Sequence, residues 1–387
     1  MEGYAMEHPN ENLFHYLRWR GDLTFTSDPL NEADALAFAT FSYLDYSAVP
    51  DGSDLKHAAP LVKQAMPSPR PSLTGRLDAL LEAAETARFG PVTVSHYRAI
   101  HDEEAGMQFA ALCFRLPGGG IVLAYRGTDD TLIGWEEDCR ISYAPVIPAQ
   151  KQAACYAREV CDCYPREPVW ITGHSKGGNL AVFAGAYLYA RQQKRLAAVF
   201  NNDGPGFSPQ FLACSGYHAV APKVRKFLPE SSIVGAFLES GTTCRIIESS
   251  AVAVNQHDPL TWQICGNHLV AAPERSAFGR HSDAVIDAWL DTLSAEERKK
   301  LTELVFTVLH ASDNRTLADI KNTPLWENLS SMARTYAGHG KEQRQFFDDV
   351  VKRLLVQVKE EAVHGRKKKT VRLRLLKKTE KDRSSAE

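Results

Sequence analysis

The segment Gly173-His174-Ser175-Lys176-Gly177 sets a serine between two glycines, a spacing suited to nucleophilic attack on a carbonyl carbon. A serine hydroxyl does such work only when a base removes its proton and donors stabilise the oxyanion that forms. The run 169–172 (Val-Trp-Ile-Thr) reads as a strand, and 178–184 (Gly-Asn-Leu-Ala-Val-Phe-Ala) reads as the start of a helix. A serine on so tight a strand-to-helix turn needs small neighbours, because strand and helix pass close on either side. The Lys176 amide then stands at a helix N-terminus, placed to donate to an oxyanion.

The base must be a histidine carried on a loop at the same sheet edge, and an acid must orient it. His218, His257, His268 and His281 follow the elbow, and His257 is preferred. It comes after 250–254, a run that reads as a strand, and it precedes the loop signal Asp258-Pro259. For the acid, Asp203 ranks first, because it follows the strand-like run 197–201 in the turn Asp203-Gly204-Pro205-Gly206. Glu230 and Asp258 are the alternatives. A bland role for Asp203 is to cap its own turn, as short acidic side chains commonly do.

These groups need a scaffold that brings strand ends together, and the chain supplies the pattern for one. Residues 12–88 carry helical spacings (Ala33, Leu36, Ala37, Phe41, Leu44) and a Pro/Ser-rich passage over 60–72, which reads as a helical lead-in, 1–88. Strand-like runs follow at 92–100, 108–115 and 121–125, the last two joined by Pro117-Gly118-Gly119-Gly120. A helix at 149–161, a strand at 169–172, a helix at 178–191 and a strand at 197–201 then alternate, as in a parallel sheet. The expectation is an α/β-hydrolase fold, mainly parallel with flanking helices, whose core spans 89–281. A helical annex over 282–365 and a basic tail over 366–387 complete the expected division.

The elbow, extended to Gly173-His174-Ser175-Lys176-Gly177-Gly178-Asn179-Leu180-Ala181, resembles that of class 3 (fungal-type) lipases. Leu123-Ala124-Tyr125-Arg126-Gly127-Thr128-Asp129, with Trp135 and Asp138 beyond, resembles the same group's oxyanion block. The resemblance implies that Thr128 supplies the donor that works with the Lys176 amide. It also implies an acid one strand later than Asp203, where Glu230-Ser231-Ser232-Ile233-Val234-Gly235 holds serine in place of the expected aspartate. Three further segments, Tyr16 to Asp22, Asn202 to Phe207 and Gln256 to Trp262, resemble a bacterial Mbeg-type family of lipase-like proteins. That resemblance reaches from residue 13 to about 360. It implies the same fold and a cytoplasmic home, and it names no substrate.

Composition narrows the partners. A formal net charge of -2 and 24% charged residues exclude a globally nucleic-acid-like balance. The tail, with Arg366, Lys367, Lys368, Lys369, Arg372, Arg374, Lys377 and Lys378, reads as solvated chain, with weak contact to an anionic surface as the alternative. No export signal or apolar run of membrane-spanning length is evident, so the eight cysteines are expected as reduced thiols. The Cys161-Asp162-Cys163 pair lacks the partners of a metal site. No metal or organic cofactor is expected. The expected partner is a small-molecule or lipid ester, and the oligomeric state is not legible. Two other functions stay open, a non-catalytic interaction module on this scaffold and acyl transfer to an acceptor other than water.

Overall fold

The computed structural model describes residues 11–129, 131–310, 338 and 340–361. Four helices come first: α1 (Leu13–Arg20), α2 (Glu32–Phe41), α3 (Leu55–Ala65) and α4 (Pro71–Ala84). Strands β1 (Thr93–Asp102), β2 (Met107–Arg115) and β3 (Ile121–Tyr125) follow, then α5 (Leu132–Arg140) and α6 (Pro148–Cys163). Next are β4 (Val169–His174), α7 (Lys176–Ala186), the short α8 (Ala190–Gln193) and β5 (Leu196–Asn202). Short α9 (Pro209–Leu212) and α10 (Ser215–Val220) lead to β6 (Val224–Pro229) and β7 (Cys244–Ile247). A small hairpin, β8 (Ile264–Cys265) and β9 (His268–Leu269), precedes α11 (Ala277–Asp291) and α12 (Ala295–His310). A last helix runs over 341–361.

Strands β1 to β7 form one sheet in sequence order. The first two pairings are antiparallel and the remaining four are parallel. This is the mainly parallel α/β-hydrolase sheet, with helices before and after it. The strand order explains why the N-terminal helices are needed. Parallel crossovers are right-handed, and because each new strand adds on the same side, every crossover helix falls on one face. The other face would meet water unless another segment covered it.

The strands carry apolar side chains to both faces. On β2 and β3, Ala111, Cys113, Ile121, Leu123 and Tyr125 pack with α6 and α7, while Leu112, Phe114, Val122 and Ala124 pack with α1 to α4. Such two-sided burial is why these strands read as continuous apolar runs. Helix α2 is buried along its whole length, and the carbonyl of Ala35 accepts a 2.8 Å bond from Thr172 Oγ1 on β4. The helical segment before the sheet is therefore its second covering layer.

Arg88 ties that layer together. It is fully buried and forms a two-pronged pair with Asp34 at 2.7 and 2.5 Å. Its remaining nitrogen Nη1 donates to the carbonyls of Leu23 and Asp28, and Tyr16 on α1 donates to Asp34 at 2.7 Å.

Downstream, Arg298 on α12 donates to the Ser142 carbonyl at 2.9 Å, and Trp289 on α11 donates to the Val350 carbonyl at 3.2 Å. These bonds join the C-terminal helices to the sheet layers and to one another. Residues 311–337, 339 and 362–365 of the expected annex and the basic tail of 366–387 lie outside the described residues. The run 250–254 is not a strand: Ala253–His257 forms a 3-10 turn, with Val252 and Val254 exposed. Alternating valines imitate a strand there, but no neighbouring strand offers its edge.

Replacing Arg88 by Met leaves the Asp34 carboxylate buried without a counter-charge, which should cost about 3–5 kcal/mol in urea unfolding. The double variant Arg88→Met/Asp34→Leu should recover much of that loss, whereas a single variant as stable as the parent would contradict this role.

Candidate active site

Ser175 sits at the junction of β4 and α7 with φ 58° and ψ -134°. Its amide donates to the Asn202 carbonyl at 3.0 Å, and its carbonyl accepts from Gly178 at 2.8 Å. The flanking glycines have steric reasons. A Cβ on Gly173 would lie 2.1 Å from the Gly177 carbonyl oxygen, and one on Gly177 would lie 2.1 Å from that of Tyr125. Any larger residue forces strand and helix apart. Lys176 is the first residue of α7, so its amide is one of the donors a helix leaves without an internal acceptor.

The Lys176 side chain has a role the motif alone does not reveal. It is buried and donates to the Gln108 carbonyl, the Gln108 side chain and Glu137, each at 2.9 Å. Glu137, also buried, accepts from the amides of Gln108 and Ala149. A buried ion pair with its lone pairs so occupied locks the elbow helix to α5 and β2.

Thr128 lies beyond the end of β3 and lines the same cavity as Ser175. Its hydroxyl donates to Asp138 at 2.5 Å. Burial pushes the Asp138 carboxyl up to about 6, opposed by the nearby Lys176 charge and the Thr128 hydrogen bond. That side chain is still 23% exposed, although its Oδ1 is enclosed, lies 4.0 Å from Lys176 Nζ and has no hydrogen-bond partner among the described residues.

Asp203 stands in the turn directly after β5, fully buried, with φ 57°. Its Oδ2 lies 2.6 Å from Nδ1 of His257 and accepts a 2.7 Å bond from the Ser232 hydroxyl. Ser232 is the serine standing where the lipase resemblance expects aspartate, and here it supports the carboxylate of another loop. A Cβ on Gly235 would fall 2.1 Å from Asp203 Oδ1, so that loop closes on the acid only through glycine. Lys226 on β6, buried and donating to the Gly235 carbonyl at 2.6 Å, adds a positive charge whose field reaches Asp203.

The alternative acids are elsewhere engaged. Asp258 accepts from the Leu260 amide, lies 3.8 Å from Arg76 and is 46% exposed. Neither its carboxylate nor that of Glu230 bonds to the His257 ring among the described residues. His218 on α10 and His281 on α11 are exposed, and His268 lies 3.6 Å from Glu32.

Two residues not singled out from the sequence complete the arrangement. His174 faces His257 with ring centres 4.5 Å apart, and its Nε2 lies 2.8 Å from the His257 carbonyl. Tyr43, from the loop after α2, bonds its hydroxyl to His174 Nδ1 at 2.8 Å. Burial, aided by the charges of His257 and Arg76, holds the His174 pKa well below the usual range, so its ring is neutral. A neutral ring donating from Nε2 accepts at Nδ1, which fixes Tyr43 as the donor. No motif links Tyr43 to His174, since 131 positions separate them. A cavity of about 580 Å³ opens over these groups, lined by Ser175, His257, Thr128, Trp135 and Tyr43 among others.

The model of the Mbeg1-like family matches residues 83–307, more than half of the chain. The chain belongs to the Mbeg1-like family. Comparison with curated proteins gives no match. Among solved structures, the Mbeg1-like chain is similar to M37 lipase at 16% identity, over 54% of this chain and 70% of that one, with a TM-score of 0.35. It is similar to a mutant form of MDLA from Penicillium cyclopium at 12% identity, over 63% and 86%, with a TM-score of 0.38. For the Rhizomucor miehei lipase propeptide complex the values are 17%, 63% and 75%, and 0.36. At these scores the likeness carries nothing about activity, and the fold stands on the strand order itself.

If Asp203 orients His257, Asp203→Asn should lower kcat by about 10³–10⁴-fold with little change in KM. Asp258→Asn and Glu230→Gln should stay within a few-fold of the parent in the same steady-state assay, and the reverse ranking would reassign the acid.

Proposed function

We propose that this protein is a serine hydrolase that cleaves a carboxylic ester or thioester through an acyl-enzyme on Ser175. The observation that carries the proposal is the 2.6 Å contact between Asp203 and His257, made within the loops that border the Ser175 cavity. Serine and acid come from the ends of two strands, β4 and β5, and the histidine from the 3-10 turn Ala253–His257 beyond β7, and fold stability alone gives no reason to gather them.

In the proposed reaction Ser175 Oγ attacks the carbonyl carbon while His257 Nε2 takes its proton. The imidazolium so formed is stabilised through Nδ1–H by Asp203. The tetrahedral oxygen receives hydrogen bonds from the amides of Lys176 and Thr128, donors fixed before the charge develops. Collapse breaks the bond to the alcohol or thiol, which leaves with the proton from His257. Water, deprotonated by the same ring, then attacks the acyl-enzyme, and the carboxylic acid departs as the serine regains its proton.

Asp138 has a supporting part. By holding the Thr128 hydroxyl it fixes the loop whose amide must meet the oxyanion. All eight cysteines are free thiols, which fits a reducing compartment such as the cytoplasm. Among the described residues no helix is long and apolar enough to cross a membrane.

Ser175→Ala should reduce hydrolysis of p-nitrophenyl butyrate to background while leaving the circular dichroism spectrum intact. His257→Ala should lose at least about 10²-fold in kcat. Parent-level turnover by purified Ser175→Ala protein would refute the proposal.

A further inference from the structure

Three arginines, Arg70, Arg76 and Arg126, line the cavity that holds Ser175 and His257. Two of them are costly to keep there. Arg76 on α4 is 8% exposed, and the Arg126 side chain, at the end of β3, is 16% exposed. Withdrawing a guanidinium from water is unfavourable unless its donors find acceptors.

Those donors are incompletely used. In both residues Nε is enclosed and has no hydrogen-bond partner among the described residues. Arg76 bonds the Ser72 carbonyl and stacks its guanidinium 4.6 Å from the centre of the Tyr43 ring. Its nearest carboxylate, Asp258, is 3.8 Å away, too far for a hydrogen bond. Arg126 is 3.7 Å from Asp129, again beyond bonding distance.

The acids of the same wall are differently placed. Asp129 accepts from the amide and hydroxyl of Thr131, and Asp45 accepts from the Ser47 amide and bonds Tyr97. The carboxylates are committed to the protein, whereas the guanidinium groups keep donor capacity beside the nucleophile. A planar fork of N–H donors matches the paired oxygens of a phosphate or a carboxylate. A neutral ester would leave that capacity unmet.

We infer that the substrate carries an anionic oxygen group, phosphate or carboxylate, which seats on Arg76 and Arg126 while its ester carbonyl meets Ser175. The second half of this statement rests on the hydrolase proposal, and the first does not.

The test is calorimetric titration of the whole protein with hexyl phosphate, hexanoate and hexanol, which share a chain length and differ in the head group. At least one anion should bind about tenfold or more tightly than hexanol, the scale of a hydrogen bond to a charged group. The tighter anion identifies which oxygen group the site takes. Arg76→Gln and Arg126→Gln should each remove most of that preference. Arg76→Lys, which keeps the charge, should retain part of it, and this separates loss of charge from loss of fold. Equal binding of all three compounds, or full preference in both glutamine variants, overturns the inference. If anions bind but Ser175 takes up no fluorophosphonate label, only the hydrolase proposal fails. If Ser175 is labelled and no anion is preferred, only the present inference fails.

Discussion

Ser175 leaves β4 in a backbone conformation that a non-glycine residue adopts only under constraint, at a cost of about 1–3 kcal/mol. The surroundings hold it there from several sides. The Asn202 carbonyl accepts a hydrogen bond from its amide, and Asn202 Nδ2 donates back to the Gly173 carbonyl. Thr172, just before the turn, is fastened to α2, and Lys176, just after it, is fastened to Glu137. Strand, elbow and helix are thus tied to both covering layers of the sheet, which is what keeps a strained turn from relaxing.

The same anchors set the rest of the site. Asn202 is followed directly by Asp203, so the bond that steadies Ser175 also fixes where the Asp203 carboxylate stands at the end of β5. His174 precedes Ser175 and holds the carbonyl of His257 through its neutral ring, while Tyr43 holds His174 from the N-terminal layer. The position of His257 is therefore set from above by Asp203 and Ser232 and from beneath by the elbow itself. Charge follows the same economy, for Lys176 and Lys226 are buried cations set near the carboxylates of Glu137, Asp138 and Asp203.

What the sequence disclosed was what depends on near neighbours. The elbow, the hairpin at Pro117 to Gly120 and the alternation from β3 to β5 are local patterns, and each stands where the spacing places it. The serine at the aspartate position was visible, but its bond to Asp203 was not, because 29 residues separate the two. Tyr43 and Arg76 were hidden for the same reason: they belong to helical segments whose contact with the cavity comes from layer packing. The valines at 252 and 254 misled because period-two spacing marks a strand only when a neighbouring strand pairs with it. Lys176 drew notice only for its backbone amide, although its side chain proves to be a buried clasp.

The claim on which the account rests is that Ser175 is an activated nucleophile. It is tested most directly by treating the folded protein with a fluorophosphonate, in which the serine oxygen displaces fluoride from phosphorus, and locating the adduct by peptide mass spectrometry. The account predicts a single phosphonyl group on Ser175, absent from Ser175→Ala protein and formed more slowly in Asp203→Asn protein. Folded protein that takes up no label at Ser175, or labels at the same rate without Asp203, would contradict it.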